Sequence, residues 1–164
     1  MPEGYEEFIG GGIIQRSPPP SAHEQLVERL HRLVAKSLTD NSALRLLRPR
    51  TELELGDAGR LRPDLTVVRT VAAAAEPPEG QLYLVAEVLL PGDHHVDTVI
   101  KKQLWADARL PRLWMVDPRY LNVEVYGCGE WGFTLLDILA NHHALSDPHL
   151  PGLSCPMDEL FAGL

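Results

Sequence analysis

Two stretches of the chain consist almost entirely of apolar residues, many of them β-branched. They cover residues 65–71 and 82–89. Apolar runs of this length predict central strands that are covered on both faces of a sheet. Residues 72–80, which lie between the two runs, are mainly small residues and prolines and predict a connecting loop.

A helical pattern of apolar residues predicts a first helix at residues 21–39. It follows Ser17-Pro18-Pro19-Pro20, a stiff connector that cannot be helical. Six apolar residues recur at helical spacing and form one stripe: Leu26, Val27, Leu30, Leu33, Val34 and Leu38. His23 falls near the middle of this stripe. Ser21 and Glu24 match a capping box, in which both side chains bond backbone N–H groups at the helix N-terminus.

A second helix is predicted at residues 96–108. Its apolar stripe consists of Val96, Ile100 and Leu104. An adjacent stripe carries Asp97, Lys101 and Trp105. This second stripe therefore places a carboxylate, an ammonium group and an aromatic ring on one side of the helix.

The remaining pattern predicts further strands and a short final helix. Apolar or alternating runs predict strands at residues 51–55, 113–116, 123–126 and 131–136. Gly10-Gly11-Gly12 predicts a turn, with a short helix or strand before it and a strand after it. Residues 150–153 predict a loop, and residues 157–161 predict a closing helix.

Helices that alternate with strands favour an α/β fold, with a central mixed β-sheet flanked by helices. The length of 164 residues is that of one domain. Its expected parts are an N-terminal strand and turn extension (1–20), the first helix (21–39), a sheet core that includes the second helix (51–136) and a C-terminal closing segment (150–164). We also expect a homodimer, formed through an apolar edge strand or through residues 131–136.

Composition narrows the function classes. The formal net charge of −8 argues against a high-affinity, non-specific nucleic-acid binder, although metal-binding carboxylates would themselves contribute negative charge. No apolar run approaches the roughly 18 residues of a membrane span. The N-terminal residues are acidic and lack the order of a signal peptide. Cys128 and Cys155 form no zinc-binding pattern, so we expect a reduced, cytoplasmic protein without membrane contact.

Three residues in this pattern suggest a catalytic site. Asp64 lies directly before the first apolar run, Glu87 lies inside the second, and Lys101 follows on the predicted helix. A carboxylate within an apolar strand is costly to bury unless it binds something. Two carboxylates can hold Mg²⁺, and a lysine can stabilise the negative charge that develops on a phosphate during hydrolysis.

Each of these residues also has an ordinary structural explanation. Asp64 follows a proline and can cap a turn. Glu87 can face solvent at a sheet edge. Lys101 can form an i,i+4 ion pair with Asp97 on the helix surface. His23 can be a core histidine whose ring nitrogens are hydrogen-bonded.

The ordered set of motifs resembles the Uma-two-like family of putative restriction endonucleases, which is assigned to the PD-(D/E)XK nuclease superfamily. The resemblance covers nearly the whole chain. The matching segments are Gly4-Tyr5-Glu6-Glu7-Phe8-Ile9, Ser17-Pro18 followed by His23, Arg62-Pro63-Asp64, Val85-Ala86-Glu87-Val88-Leu89, the helix from Asp97 to Trp105, and Leu113-Trp114-Met115-Val116-Asp117-Pro118. No single segment is specific, and their order carries the resemblance.

The resemblance implies a restriction-endonuclease-like core, divalent-metal binding and DNA cleavage. It implies that Asp64 and Glu87 are the metal ligands and that Lys101 is the catalytic lysine, with Mg²⁺ or Mn²⁺ as the cofactor and DNA as the substrate. His23 and Glu7 match positions that border the site.

Two departures from the family pattern leave other functions open. The superfamily usually has its lysine two residues after the second carboxylate, where this chain has Leu89, and Leu90 replaces a usual serine. One alternative is a nuclease-fold module that binds or regulates and has weak or no catalysis. Another is a metal-dependent hydrolase of a small phosphoester. The orientation of Lys101 relative to the two carboxylates is the observation that discriminates best among these functions.

Overall fold

The computed structural model describes residues 3–41, 43–70, 81–93 and 95–164. The strands are β1 (Tyr5–Ile9), β2 (Gly12–Arg16), β3 (Leu44–Leu46), β4 (Leu53–Glu54), β5 (Gly59–Leu61), β6 (Leu65–Arg69), β7 (Leu82–Val88), β8 (Arg112–Asp117), β9 (Asn122–Gly129), β10 (Gly132–Ala140), β11 (Ala144–Asp147) and β12 (Leu150–Pro156). The helices are α1 (Ser21–Ser37), α2 (Lys102–Asp107) and α3 (Met157–Leu160), and a π-helical segment, Val96–Lys101, leads directly into α2.

A six-stranded sheet with the strand order β10-β9-β8-β7-β6-β3 forms the centre of the molecule. Strands β7 and β8 are parallel, and the other neighbouring pairs are antiparallel. The connection between the parallel strands passes through the π-helical segment and α2, because parallel strands need a long crossover. The prediction of an α/β fold with a mixed sheet is confirmed.

Apolar side chains cover both faces of this sheet. On one face, α1 packs with Leu26 and Leu30 against Ala86 and Val88 of β7, and the β11–β12 hairpin belongs to the same core. On the other face, Val85 and Leu89 pack with Trp105 of α2. The predicted double coverage of residues 82–89 is therefore confirmed, since all of β7 is buried.

The register of β6 and β7 brings the two predicted metal carboxylates to the same end of the sheet. Leu65 pairs with Ala86 in the antiparallel ladder. Asp64 directly precedes β6 and Glu87 follows Ala86 in β7, so the two residues occupy neighbouring positions.

The N-terminal strands belong to a second sheet, with the order β2-β1-β5-β4. The predicted glycine turn joins β1 and β2 into a hairpin, and Gly10 and Gly11 have positive φ angles of 58° and 86°, which glycine adopts readily. Tyr5 pairs with Arg16 across this hairpin. Since residues two apart along a strand share a face, Glu7 and Arg16 lie on the same side of the hairpin.

Several predicted elements differ from those observed. Helix α1 ends at Ser37, two residues before the predicted end, and it has no side-chain cap at its N-terminus. The capping box is absent because Pro20 occupies the N-cap position and Ser21 is already helical, and the Glu24 carboxylate bonds Arg50. Residues 150–153, predicted as a loop, begin β12, since pairing with β11 supplies their backbone hydrogen bonds. The predicted loop at residues 72–80 lies outside the described residues.

Strand β10 is an edge of the central sheet and carries exposed apolar side chains. Leu135, Leu136 and Ile138 are each about half exposed, and the Trp131 side chain beside the strand is 93% exposed. This is the segment at which we expect the homodimer. The homodimer stays a prediction, and sedimentation equilibrium is the measurement that decides it.

The described helices include none with the length and apolarity that a bilayer span requires. Cys128 is exposed, Cys155 is buried, and both are free thiols.

Candidate functional site

Four of the five predicted site residues lie within the protein as a cluster of buried charges. Glu7 of β1, Asp64 before β6, Glu87 in β7 and Lys101 at the end of the π-helical segment are each 4% exposed or less. Burying charged groups is expensive unless they are paired, and a buried cluster of this kind is a candidate functional site.

The Lys101 ammonium group points into the cluster. Its Nζ atom lies 2.7 Å from Glu87 Oε1, 3.0 Å from Glu7 Oε1 and 3.6 Å from Asp97 Oδ1. The carboxylates outweigh the effect of burial and raise the pKa of Lys101. The predicted helix pair with Asp97 therefore exists, but it is the longest of the three contacts.

Glu87 lies in the middle of the sheet, so the alternative of a solvent-facing sheet edge is wrong. The indole N–H of Trp105 donates a hydrogen bond to Glu87 Oε1 at 3.2 Å. Burial is the main cause that raises the pKa of Glu87 to about 8. The nearby carboxylates of Asp97, Glu7 and Asp64 also raise it, and the Lys101 ammonium group only partly opposes them. Glu87 therefore binds a proton at neutral pH in the absence of a cation.

Asp64 has two oxygens in different environments. Its Oδ2 atom accepts the Val88 N–H at 2.8 Å and lies 3.5 Å from His23 Nε2. Its Oδ1 atom lies 3.3 Å from Arg50 Nη2, but the contact does not have hydrogen-bond geometry and the oxygen is buried without a partner. Burial raises the pKa of Asp64, but His23, the Val88 N–H and Arg50 together lower it below its ordinary value.

His23, the fifth predicted residue, lies in the α1 core stripe and also borders the cluster. Nε2 lies 3.1 Å from the Val88 carbonyl oxygen, and Nδ1 lies 3.3 Å from Glu24 Oε1. Burial lowers the pKa of His23, but hydrogen bonds to Asp64, Glu24 and Val88 outweigh it and raise the pKa. The core and site-bordering explanations are therefore compatible, because the same ring satisfies both.

Arg16 is a member of the cluster that sequence reasoning missed. Its guanidinium group lies 2.8 Å from Glu7 Oε2, 2.9 Å from Asp93 Oδ2 and 2.9 Å from Asp97 Oδ1. Glu7 in turn accepts the Arg62 N–H at 2.8 Å. Burial raises the pKa of Glu7, but Lys101, the Arg62 N–H and Arg16 lower it below its ordinary value.

Leu89 occupies the position at which the superfamily pattern usually has lysine. Its side chain is 4% exposed and packs in the apolar core with Val85. The ammonium group beside Glu87 comes instead from Lys101, 14 residues further along the chain. The π-helical turn that ends at Lys101 directs this side chain inward, and π-helical turns are frequent at functional sites.

An open cavity of about 530 Å³ lies against the four-stranded sheet. Tyr5, Glu7, Arg60 and Arg62 are among the residues that line it. Glu6, Phe8 and Gln15, which also line it, lie on the hairpin face opposite to the Glu7 side chain, and that side chain is fully buried.

The donor set of the cluster fits a hard divalent cation. Mg²⁺ prefers carboxylate oxygens and keeps several water or phosphate ligands. Asp64 offers a buried oxygen that accepts no hydrogen bond, and Glu87 lies on the strand that pairs with β6. Within the described ranges, no three histidine, cysteine or acidic side chains are already arranged around a common metal position. The two carboxylates would therefore supply only part of the coordination shell.

Comparisons with known proteins bear on the whole chain. The Uma2 family model, described as a putative restriction endonuclease, matches residues 2–158. Among solved structures, a putative nuclease belonging to DUF820 from Anabaena variabilis ATCC 29413 is similar with a TM-score of 0.77 and 16% sequence identity, over 96% of this chain and 89% of that chain. This structural likeness concerns the fold. No curated protein matches the chain.

Proposed function

The chain belongs to the Uma2 family of putative restriction endonucleases, and on this premise we propose that it is a Mg²⁺-dependent DNA endonuclease that hydrolyses phosphodiester bonds. The observation that carries the proposal is the contact of 2.7 Å between Lys101 Nζ and Glu87 Oε1, on the strand adjacent to Asp64. The contact brings an ammonium group to Glu87, and Asp64 lies near Glu87 at the same end of the sheet.

Asp64 and Glu87 would hold the cation, Mg²⁺ or Mn²⁺, through their carboxylate oxygens. A bound cation polarises the phosphate and lowers the pKa of the attacking water. Glu7 and Glu87 hold Lys101 through two of its three N–H groups. Asp97 Oδ1, at 3.6 Å, is too distant for a good hydrogen bond, so the third N–H is available to the negative charge that develops on the phosphate.

Plasmid nicking tests the proposal. We expect the purified protein to convert supercoiled DNA to nicked and linear forms with Mg²⁺ or Mn²⁺ and to stop when the cation is chelated. A parallel assay on nucleotides and small phosphodiesters separates an endonuclease from a small-phosphoester hydrolase. Cleavage of the small substrates alone would contradict DNA as the substrate.

Leu89 in the usual lysine position favours a second candidate function, a nuclease-fold module that binds or regulates without cleaving. The inward orientation of Lys101 counts against this non-catalytic function, because Lys101 supplies beside Glu87 the ammonium group that Leu89 cannot supply. Calorimetric titration distinguishes the two functions. Absence of Mg²⁺ binding at millimolar concentrations, together with absence of nicking, would favour the non-catalytic module.

We expect metal binding to depend on pH through Glu87. Since the pKa of Glu87 is raised to about 8, its carboxyl group is mostly protonated at pH 7 and must release a proton when the cation binds. Apparent Mg²⁺ affinity should rise by about tenfold per pH unit up to about pH 8 and level off above it. Asp64 contributes nothing to this pH dependence, because its pKa is lowered and its carboxylate stays ionised in this range.

Calorimetry in buffers of different ionisation enthalpy measures the released proton. The His23→Gln variant is the control, because His23 also titrates near the site, and the proton release should persist in it. Affinity that is constant between pH 6 and pH 8 would contradict the role of Glu87.

A further inference from the structure

Arg50 lies beside the cluster in a backbone conformation that residues other than glycine seldom adopt. Its φ angle is 58°, in the left-handed region. Its N–H donates to the Pro63 carbonyl oxygen at 3.0 Å, directly before Asp64. The strained backbone therefore fixes the Arg50 side chain next to Asp64, and strain of this kind concentrates at functional sites.

The Arg50 guanidinium group has two edges with different partners. At the end edge, Nη1 donates to Glu24 Oε2 at 3.2 Å and Nη2 donates to Glu24 Oε1. The side edge consists of Nε and Nη2. Nη2 lies 3.3 Å from Asp64 Oδ1, whereas Nε is buried and has no hydrogen-bond partner. Tyr5 covers the face of the group, with its ring centroid 5.6 Å from Cζ.

The side edge of Arg50 is therefore in ion-pair contact with Asp64 Oδ1, but neither Nε nor Oδ1 has a hydrogen bond. Nearly all buried polar groups in proteins have partners, so two adjacent unpaired atoms of opposite kind point to a ligand. A cation would pair with Asp64, and an anionic oxygen would pair with Arg50. A phosphodiester held beside a divalent cation supplies this anionic oxygen.

We propose that Arg50 forms a phosphate subsite that binds the DNA backbone beside the cation held by Asp64. The proposal rests on the proposed function and adds the residue that binds the substrate. The planar guanidinium fork matches phosphate oxygens in two-point contacts. Glu24 fixes the orientation of the fork through its other edge.

The other cations of the cluster are already engaged. Arg16 binds Glu7, Asp93 and Asp97. Among the described arginine and lysine side chains, Arg50 is the one with a buried nitrogen that lacks a hydrogen-bond partner. Its side chain is also 15% exposed, against 2% for Lys101, which makes it the cation of the cluster nearer to solvent.

Fluorescence anisotropy with a labelled DNA duplex tests the subsite, with Ca²⁺ in place of Mg²⁺ to prevent turnover. We expect Arg50→Gln to weaken binding by about tenfold or more. The slope of log affinity against log salt concentration should become shallower by about one, as for the loss of one phosphate contact. Arg50→Lys should keep the slope but lose affinity, because lysine retains the charge without the fork.

Arg32→Gln is the matched control, since it removes the same charge from an ion pair with Glu28 in which both side chains are at least 70% exposed. We expect its affinity and slope to equal those of the unaltered protein. Thermal unfolding verifies that each variant is folded. If Arg50→Gln is not folded, Arg50→Lys is the test variant, and an affinity equal to that of the unaltered protein would contradict the subsite.

Three outcomes would overturn the subsite. If Arg50→Gln binds DNA as the unaltered protein does, the subsite is wrong while nicking by the unaltered protein still supports the proposed function. If binding by the folded Arg50→Gln variant weakens with no change in slope, Arg50 has a structural role alone. If the unaltered protein neither binds nor cleaves DNA, the proposed function and the subsite fail together.

Discussion

Replacing either predicted metal carboxylate with its isosteric amide should abolish magnesium-dependent nicking. Asp64→Asn and Glu87→Gln keep the shape of the side chain and remove the charge that would hold the cation. We expect each variant to lower the cleavage rate by about a hundredfold to a thousandfold or more. The measurement is the rate of conversion of supercoiled plasmid at saturating Mg²⁺.

The controls for these variants are amide substitutions at exposed carboxylates. Asp57→Asn and Glu54→Gln change exposed residues near β5, and we expect both to cleave at the unaltered rate. The Asp64 and Glu87 variants should also show no Mg²⁺ heat at concentrations that saturate the controls. Cleavage that survives both site substitutions would remove these carboxylates from the mechanism.

Removing the ammonium group of Lys101 should have the largest effect on stability. In Lys101→Met, the carboxylates of Glu7 and Glu87 lose their shared buried partner and Asp97 loses a nearby cation. Breaking a buried ion pair in this way costs about 3–5 kcal/mol of unfolding free energy. If Lys101 were only a surface partner of Asp97, the cost would be about 0.3–0.5 kcal/mol.

Urea denaturation of Lys101→Met and of Lys36→Met measures this difference, because Lys36 is an exposed lysine near the end of α1. The pH dependence adds a second criterion. The pKa of Glu87 is raised to about 8, so below that pH the carboxyl group takes up a proton and needs Lys101 less. The destabilisation should therefore be smaller at pH 6 than at pH 9. Equal and small effects for the two lysines would contradict the buried contacts.

The central sheet and its carboxylates are the part of the molecule that the sequence predicts best. Strand β7 is covered on both faces, so it reads as a continuous apolar run and Glu87 stands out within it. Strand β12 is the opposite case. Its Pro151 and Gly152 favour a loop locally, but pairing with β11 decides the conformation.

The side chains that surround Glu87 and Asp64 could be predicted only in part. The helical stripe of Asp97, Lys101 and Trp105 indicates which side chains share a face, but not that the face points at Glu87. Arg16 and Arg50 have no local signal at all. Arg16 reaches the cluster through the register of a hairpin, and Arg50 through a turn with a positive φ angle. Both depend on contacts between segments distant along the chain.

The N-terminal hairpin has a consequence for the order in which the protein can assemble. Arg16 bonds Asp97, a residue 81 positions later in the chain. During synthesis the hairpin emerges before Asp97, which follows three of the six strands of the central sheet, β3, β6 and β7. Glu7 and Arg16 can therefore leave water only at a late step, when the crossover between β7 and β8 closes over them. A chain stopped before Asp97 would have Asp64 and Glu87 but no closed cluster, so the proposed cation site would be complete only in the finished fold.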